Sequence, residues 1–165
     1  MSIELIVLDV DGTMTDSRIT YSEEGDEIKS FNVKDGLAIV AWRRLGKKVA
    51  IITGRSSKIV ERRAKELGIE YFYQGIANKK EVLDELLEKL DLTMENVAAI
   101  GDDLNDLQML KAAHISFVPR DSSAYIDKVA SVILNRKGGD GAVREMIENL
   151  IVQEGLEKKY LALWE

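Results

Sequence analysis

The first apolar stretch of the chain reads Ile3-Glu4-Leu5-Ile6-Val7-Leu8-Asp9-Val10-Asp11-Gly12-Thr13. Its apolar part predicts a buried β-strand. Side chains two positions apart on extended backbone share a face, so Asp9 and Asp11 leave this strand together. Such a pair can bind a hard cation and supply both a nucleophile and an acid/base. From these residues alone, an Asx-type turn that closes the strand is an equally good interpretation.

Short β-rich runs alternate with amphipathic helical stretches along the rest of the chain. This alternation is typical of a mostly parallel sheet with helices on both faces, so we predict an α/β fold with a doubly wound, Rossmann-like sheet. The predicted strands are 3–9, 48–53, 71–73, 97–101, 115–118 and 131–134. The predicted helices, from the spacing of apolar residues, are 35–45, 58–67, 79–90, 104–112 and 141–151.

One segment, residues 18–32, breaks this alternation. Apolar residues there flank the turn signal Glu23-Glu24-Gly25-Asp26, which predicts a β-hairpin inserted after the first strand. Because an isolated two-stranded ribbon is marginally stable, we expect the hairpin to pack on another subunit or to form a flap on its own domain. The apolar tail at residues 153–165 is likewise expected to contact a neighbouring protomer or its own domain.

The composition fits a single domain over residues 1–165, since 45% of the residues are apolar and suffice for a sizeable core. The 29 acidic residues exceed the 23 basic ones, and no long basic cluster exists, so we expect no nucleic-acid partner. No segment approaches membrane-spanning length, so we expect no membrane partner. The chain has no cysteine, which excludes disulfides and zinc-thiolate sites and is compatible with the cytoplasmic location that we expect.

Reactive side chains follow several of the predicted strands. Asp9 and Asp11 follow the first strand and Gly101-Asp102-Asp103 follows the fourth. Ligands of an open parallel sheet bind outside the carboxyl ends of its strands, so these groups can converge on one crevice. We expect phosphoryl transfer, in which Asp9 attacks phosphorus while Asp11 protonates the leaving alcohol and then activates water.

Magnesium is the expected cofactor of this crevice. Its predicted ligands are Asp9, the main-chain carbonyl of Asp11, and Asp102, because oxygen ligands suit this ion and its charge allows an anion to approach a carboxylate. Asp102 could instead be only a helix cap. Asp106, four residues further on, is either a support for the site or a plain acid of the first helical turn.

Two further groups would bind the phosphoryl oxygens. Thr53 and the amides of Gly54 and Val10 offer hydrogen-bond donors, and Lys79, which opens the helix after the third strand, offers a positive charge. Singly, Thr53-Gly54 could be an ordinary strand exit and Lys79 a solvated surface residue. The joint occurrence of these motifs in this order favours the catalytic interpretation.

The four motifs resemble those of the haloacid dehalogenase superfamily. Over nearly the whole chain, the sequence also resembles one family of this superfamily, which lacks a large cap domain. That family hydrolyses an eight-carbon ulosonate phosphate, 3-deoxy-D-manno-octulosonate 8-phosphate. The further residues that carry this resemblance are Asp16, Phe31-Asn32-Val33-Lys34-Asp35-Gly36, Ile52-Thr53-Gly54-Arg55, Gln74-Gly75 and Gly138-Gly139-Asp140-Gly141-Ala142-Val143-Arg144-Glu145. The resemblance implies a sugar-acid phosphate as substrate, lipopolysaccharide precursor synthesis as its role, and a homotetramer whose hairpins form a central barrel.

The same resemblance implies which residues contact the substrate. They are Asp11, Asn32, Val33, Lys34, Asp35, Gly36, Thr53, Gly54, Arg55, Arg63 and Lys79. Arg55 favours the eight-carbon sugar acid, because related phosphatases for nine-carbon ulosonates carry an acid there and a guanidinium group suits a carboxylate. The chain departs from the family at Lys34 and Val40, where arginine is usual. Arg43 or Arg44 could supply a missing contact.

Four functions are compatible with these residues. The first is a magnesium-dependent phosphatase for the eight-carbon ulosonate phosphate, and the second is a phosphatase for another sugar phosphate, such as a nine-carbon ulosonate 9-phosphate. The third is a phospho-acceptor receiver domain, although receivers carry the accepting aspartate on a later strand. The fourth is a noncatalytic assembly domain, against which the filled catalytic positions argue.

Overall fold

A computed structural model describes residues 2–165, which form a six-stranded parallel sheet with helices on both faces. In chain order its elements are β1 (Leu5–Leu8), β2 (Thr20–Tyr21), β3 (Glu27–Ile28), α1 (Val33–Arg44), β4 (Lys48–Ile52), α2 (Lys58–Glu66), β5 (Tyr71–Tyr73), α3 (Lys79–Leu90), β6 (Val97–Ile100), α4 (Leu107–Ala112), β7 (Ile115–Val118), α5 (Ala124–Asp127), β8 (Val132–Ile133), α6 (Ala142–Gln153) and α7 (Glu157–Ala162). The α/β prediction is confirmed, and all six predicted strands of the sheet are present. The single-turn helix α5 is not predicted by the sequence pattern.

Strand β1 lies inside the sheet, whose strand order is β5-β4-β1-β6-β7-β8. It pairs in parallel with both β4 and β6, so that Leu8 is level with Ile51 and Ile100. The strand order changes direction between β1 and β6, which is where an open α/β sheet binds its ligand. Asp9 and Asp102, just beyond these two strands, therefore leave the sheet at the same edge.

Alternate residues of β1 enter different hydrophobic cores, because successive side chains of a strand point to opposite faces. Ile6 and Leu8 join the core formed with α1, α2 and α6, whereas Leu5 and Val7 join the core formed with α3 and α4. All four side chains are buried, and each contributes about 1.5–3 kcal/mol to folding. This double burial fixes β1 and hence the position of Asp9.

The inserted segment forms the predicted hairpin, but its strands are short. β2 and β3 pair antiparallel over two residues each, with Thr20 opposite Ile28. Gly25 completes the turn with a φ of 88°, a conformation that favours glycine. Tyr21 and Ile28 are 62% and 50% exposed, so the ribbon leaves apolar surface uncovered within this chain.

The C-terminal tail folds back on its own chain, which is one of its two predicted placements. Tyr160 of α7 is buried in the core that contains α1 and α6. Arg44 donates a hydrogen bond to the carbonyl oxygen of Leu163 at 3.2 Å and lies over the ring of Trp164. None of the helices in residues 2–165 is long and apolar enough to cross a membrane.

Candidate active site

A cavity of about 160 Å³ lies beyond the carboxyl ends of β1, β4 and β6. Its lining residues are Asp9, Asp11, Thr53, Gly54, Arg55, Asp102, Asp103 and Asn105. The fold thus brings together groups that follow three different strands, as the strand-end motifs predict. Asn105 is a lining residue that the sequence does not single out.

Lys79 provides a buried positive charge at this site. Its Nζ atom lies 2.6 Å from Asp9 Oδ1 and 2.6 Å from Asp106 Oδ1. The residue is 2% exposed, which excludes the solvated surface lysine that its sequence context allows. Burial alone would lower the pKa of Lys79, but the charges of Asp9 and Asp106 raise it, so the lysine remains a cation.

Asp106 uses both carboxylate oxygens to hold other parts of the site. Oδ1 accepts from Lys79, while Oδ2 accepts the N–H groups of Asp102 at 2.9 Å and Asp103 at 3.2 Å. The residue is fully buried. Of its two predicted interpretations, the structure supports the first, a support for the site. Because both oxygens are engaged, Asp9 and Asp102 are better placed than Asp106 to bind a metal.

The acidic residues of the site fit a divalent cation. Asp9, Asp102 and Asp106 each offer an oxygen atom within 4.8 Å of the others. Burial and the charge of Asp106 raise the pKa of Asp9 to about 6 despite the presence of Lys79. Burial and the charge of Asp9 raise the pKa of Asp102 to about 9. A cation between Asp9 and Asp102 would relieve this repulsion, and their hard oxygen ligands suit Mg²⁺.

Two glycines allow the loop after β1 to approach its neighbours closely. Gly12 has a φ of 96°, and a Cβ atom there would lie 1.9 Å from Asp102 Oδ2. A Cβ atom at Gly138 would lie 1.8 Å from the carbonyl oxygen of Gly12. The N–H of Gly139 donates to the carbonyl oxygen of Thr13 at 3.1 Å. The loop of residues 137–140 therefore packs, backbone against backbone, on the segment that follows Asp11.

The residues predicted to contact substrate divide into separate groups. The cavity beside Asp9 is lined by Asp11, Thr53, Gly54 and Arg55. A larger cavity of about 590 Å³, at the N-terminal ends of α1 and α6, is lined by Asn32, Val33 and Lys34. We assign the chemistry to the smaller cavity, because its lining includes Asp102 and Asp9, and the carboxylate of Asp9 binds Lys79.

Asp35, Gly36 and Arg63 line neither cavity. Asp35 is 2% exposed and accepts the N–H of Arg144 at 2.9 Å, which ties α1 to α6. A Cβ atom at Gly36 would lie 2.5 Å from Arg63 Nη2, and this guanidinium group donates to the carbonyl oxygen of Asn32 at 3.4 Å. Within this chain the three residues shape the start of α1, and their contact with substrate stays a prediction.

Arg43 and Arg44 are engaged elsewhere in the chain. Arg43 donates to the carbonyl oxygen of Leu67 at 3.1 Å, and Arg44 binds the C-terminal tail. Neither side chain lines the cavity of Asp9 or the cavity of Lys34. The structure therefore gives neither residue the role of the arginine that the family has in place of Lys34 or Val40.

Fold and site together define a hydrolase of known class. The model of the haloacid dehalogenase-like hydrolase family matches residues 31–114, and the chain belongs to this family. It is similar to the 3-deoxy-D-manno-octulosonate 8-phosphate phosphatase KdsC of Salmonella typhi, with 41% identity over 93% of this chain and 82% of that protein. KdsC of Haemophilus influenzae is 36% identical over 93% of this chain and 86% of that protein.

Solved structures agree with this assignment. The phosphatase for 3-deoxy-D-manno-octulosonate 8-phosphate from Moraxella catarrhalis, crystallised with a magnesium ion, a phosphate ion and a KDO molecule, has a TM-score of 0.95 and 39% identity. The match covers 99% of this chain and 94% of that one. A cobalt-bound phosphatase from Haemophilus influenzae has a TM-score of 0.89 and 36% identity, over 93% and 90% of the two chains.

Proposed function

We propose that this protein is a magnesium-dependent phosphatase that hydrolyses 3-deoxy-D-manno-octulosonate 8-phosphate to the free sugar acid and phosphate. The observation that carries the proposal is the contact of Lys79 with Asp9, in a site whose cavity also holds Asp11 and Asp102. Similarity to KdsC over most of the chain supports the choice of substrate.

In the proposed reaction, Asp9 attacks the phosphorus atom and forms an aspartyl phosphate, while Asp11 gives a proton to the oxygen of the departing alcohol. Asp11 then takes a proton from water, which attacks the acyl phosphate and restores Asp9. Lys79 orients the Asp9 carboxylate and balances the charge of the phosphoryl group. When bound by Asp9, the carbonyl of Asp11, and Asp102, Mg²⁺ supplies further positive charge to the phosphoryl oxygens.

The small cavity suits the phosphoryl end of the substrate. About 160 Å³ is below the range of about 300–1,000 Å³ that is usual for a whole ligand, so the sugar must extend beyond it. Thr53 and Gly54 line the end that would hold the phosphoryl oxygens. Arg55, whose side chain is 47% exposed, can meet the carboxylate of the sugar acid at the rim.

A homotetramer would supply the remaining walls of the substrate site. In our proposal the hairpins associate through their exposed apolar residues, and Asn32, Val33 and Lys34 of a neighbouring copy cover the sugar. Support comes from the exposure of Tyr21, Ile28 and Val33, which is 80% for the last. A cytoplasmic location and a role in lipopolysaccharide precursor synthesis belong to the same proposal, and a cysteine-free chain is compatible with a reducing compartment.

The test is phosphate release, with Mg²⁺ present, from a panel of sugar phosphates. We expect the highest kcat/KM for 3-deoxy-D-manno-octulosonate 8-phosphate. A higher value for a nine-carbon ulosonate 9-phosphate would move the proposal to that substrate. Release from none of the sugar phosphates, at an enzyme concentration that detects slow turnover, would overturn the proposal.

A further inference from the structure

A buried lysine of the hairpin reaches the active site. Lys29 directly follows β3, and its side chain is 0% exposed although Ile28 beside it is half exposed. Its Nζ atom lies 2.7 Å from Asp11 Oδ1 and 3.1 Å from Glu27 Oε1. A buried ammonium group is unfavourable unless it is paired, so these two carboxylates account for its position.

The contacts of Lys29 continue across the cavity. Glu27 Oε1 also lies 3.7 Å from Arg55 Nη2, and both Arg55 and Asp11 line the cavity of Asp9. Charges therefore alternate from Asp11 through Lys29 and Glu27 to Arg55. The link between Lys29 and Asp11 is short and largely buried, whereas the link to the half-exposed Arg55 is long and contributes little.

We infer that Lys29 is a positioning residue that holds the carboxylate of Asp11 in place for proton transfer. The inference rests on the proposed function, in which Asp11 is the acid/base. Among residues 2–165, only Lys29 forms a hydrogen bond or ion pair with the Asp11 carboxylate. Lys79 serves Asp9 in the same way from the other side of the site. Each catalytic aspartate thus has its own lysine.

The expected effect is large because proton transfer depends on geometry. Without Lys29, the Asp11 carboxylate could turn about its side-chain bonds toward solvent. A displacement of about 1 Å in a catalytic group can lower a rate about 100-fold. Phosphoryl transfer to Asp9 should slow most when the departing oxygen needs a proton from Asp11, and less when the leaving group departs without one.

Two leaving groups distinguish these two cases. An alkyl oxygen, as in a sugar phosphate, needs a proton from Asp11, whereas p-nitrophenolate leaves without one. We would measure kcat/KM for p-nitrophenyl phosphate and for the ulosonate phosphate, eight- or nine-carbon, that the wild type hydrolyses faster. The ratio of the two values in one sample does not depend on the fraction of folded enzyme.

For Lys29→Met, we expect kcat/KM for the sugar phosphate to fall at least about tenfold further than that for p-nitrophenyl phosphate. Lys29→Arg, which keeps a cation, should recover much of the ratio. Lys65→Met is the matched control, because Lys65 on α2 pairs with Glu61 and its side chain is 77% exposed. It should change neither value. Lys29→Gln replaces the Met variant if that protein does not fold.

An equal fall for both substrates, or no fall, would overturn the positioning role while leaving the proposed function intact. Activity of the wild type alone tests the proposed function. If the wild type hydrolysed no alkyl phosphate, the proposed function would be refuted and the positioning role of Lys29 would lose its basis. A selective fall in the alkyl reaction that Lys29→Arg reverses supports the inference.

Discussion

Substitution of Gly138 by alanine should disturb the active site from outside the cavity. The new Cβ atom would lie 1.8 Å from the carbonyl oxygen of Gly12 and 2.5 Å from its carbonyl carbon. Both are backbone atoms, so the two segments must move apart until the contacts reach at least 3.0 Å. Gly12 itself borders Asp102 and directly follows Asp11. We therefore expect a loss of about 1–3 kcal/mol in the free energy of unfolding and a fall of up to about 100-fold in kcat/KM.

The assay combines urea unfolding with hydrolysis of 3-deoxy-D-manno-octulosonate 8-phosphate in Mg²⁺. Gly155→Ala is the control, because Gly155 has a φ of 66° but nothing lies within 4 Å of its Cβ position. That variant should lose about 1 kcal/mol through backbone strain and keep the kcat/KM of the wild type. If Gly138→Ala matched the wild type in both stability and kcat/KM, the loop of residues 137–140 would not hold the active site as we describe.

Three further predictions concern charge in the protein. Asp106→Asn replaces one accepting oxygen by an NH2 group, which must face either the Lys79 ammonium group or the N–H of Asp102. We therefore expect kcat/KM to fall about tenfold or more. Asp84→Asn is the control and should leave kcat/KM unchanged, because Asp84 on α3 pairs with Lys80, is 49% exposed and does not line the cavity. Equal kinetics in the two variants would contradict the role of Asp106. Mg²⁺ should raise the Tm of the wild type in calorimetry, since it binds the folded site, and Asp102→Asn should remove this rise. A variant that keeps the full rise would argue against Asp102 as a ligand. Burial raises the pKa of Asp35 to about 6 from its ordinary value of 3.8, so the protonated carboxyl group favours the folded state. The stabilisation is complete below pH 3.8 and is lost as the pH rises through about 6. In urea unfolding, the free energy of unfolding of the wild type should decline by about 3 kcal/mol across this window, and that of Asp35→Asn should not. The same pH dependence in both proteins would refute the assignment.

The sequence predicts the sheet and the reactive edge because both depend on local patterns. Apolar runs identify β1, β4 and β6, and the parallel arrangement then brings the residues after them to one edge. Asp9, Asp11, Thr53 and Asp102 accordingly line or border one cavity. Asp106 is suggested by its spacing from Asp102, but its bond to Lys79 depends on how α3 and the end of β6 meet.

Tertiary packing decides the features that the sequence leaves open. Lys29 lies in a two-stranded ribbon between the exposed residues Ile28 and Ser30, where a lysine is ordinarily exposed as well. Only the fold of the hairpin over the site buries its side chain. Asn32 to Lys34 follow the hairpin, yet they line a different cavity from Asp9, because α1 packs beside α6. Gly138 resembles an ordinary loop glycine until the backbone of Gly12 is found against it.

The most direct test of the central claim is phosphate release from 3-deoxy-D-manno-octulosonate 8-phosphate by wild type and Asp9→Asn, each with Mg²⁺. Asp9 is the proposed nucleophile, so the wild type should turn over continuously and the variant should lose activity by several orders of magnitude. Asp84→Asn, which changes an exposed carboxylate of α3, serves as the control and should remain active. Equal phosphate release by Asp9→Asn and the wild type would contradict the aspartyl-phosphate mechanism.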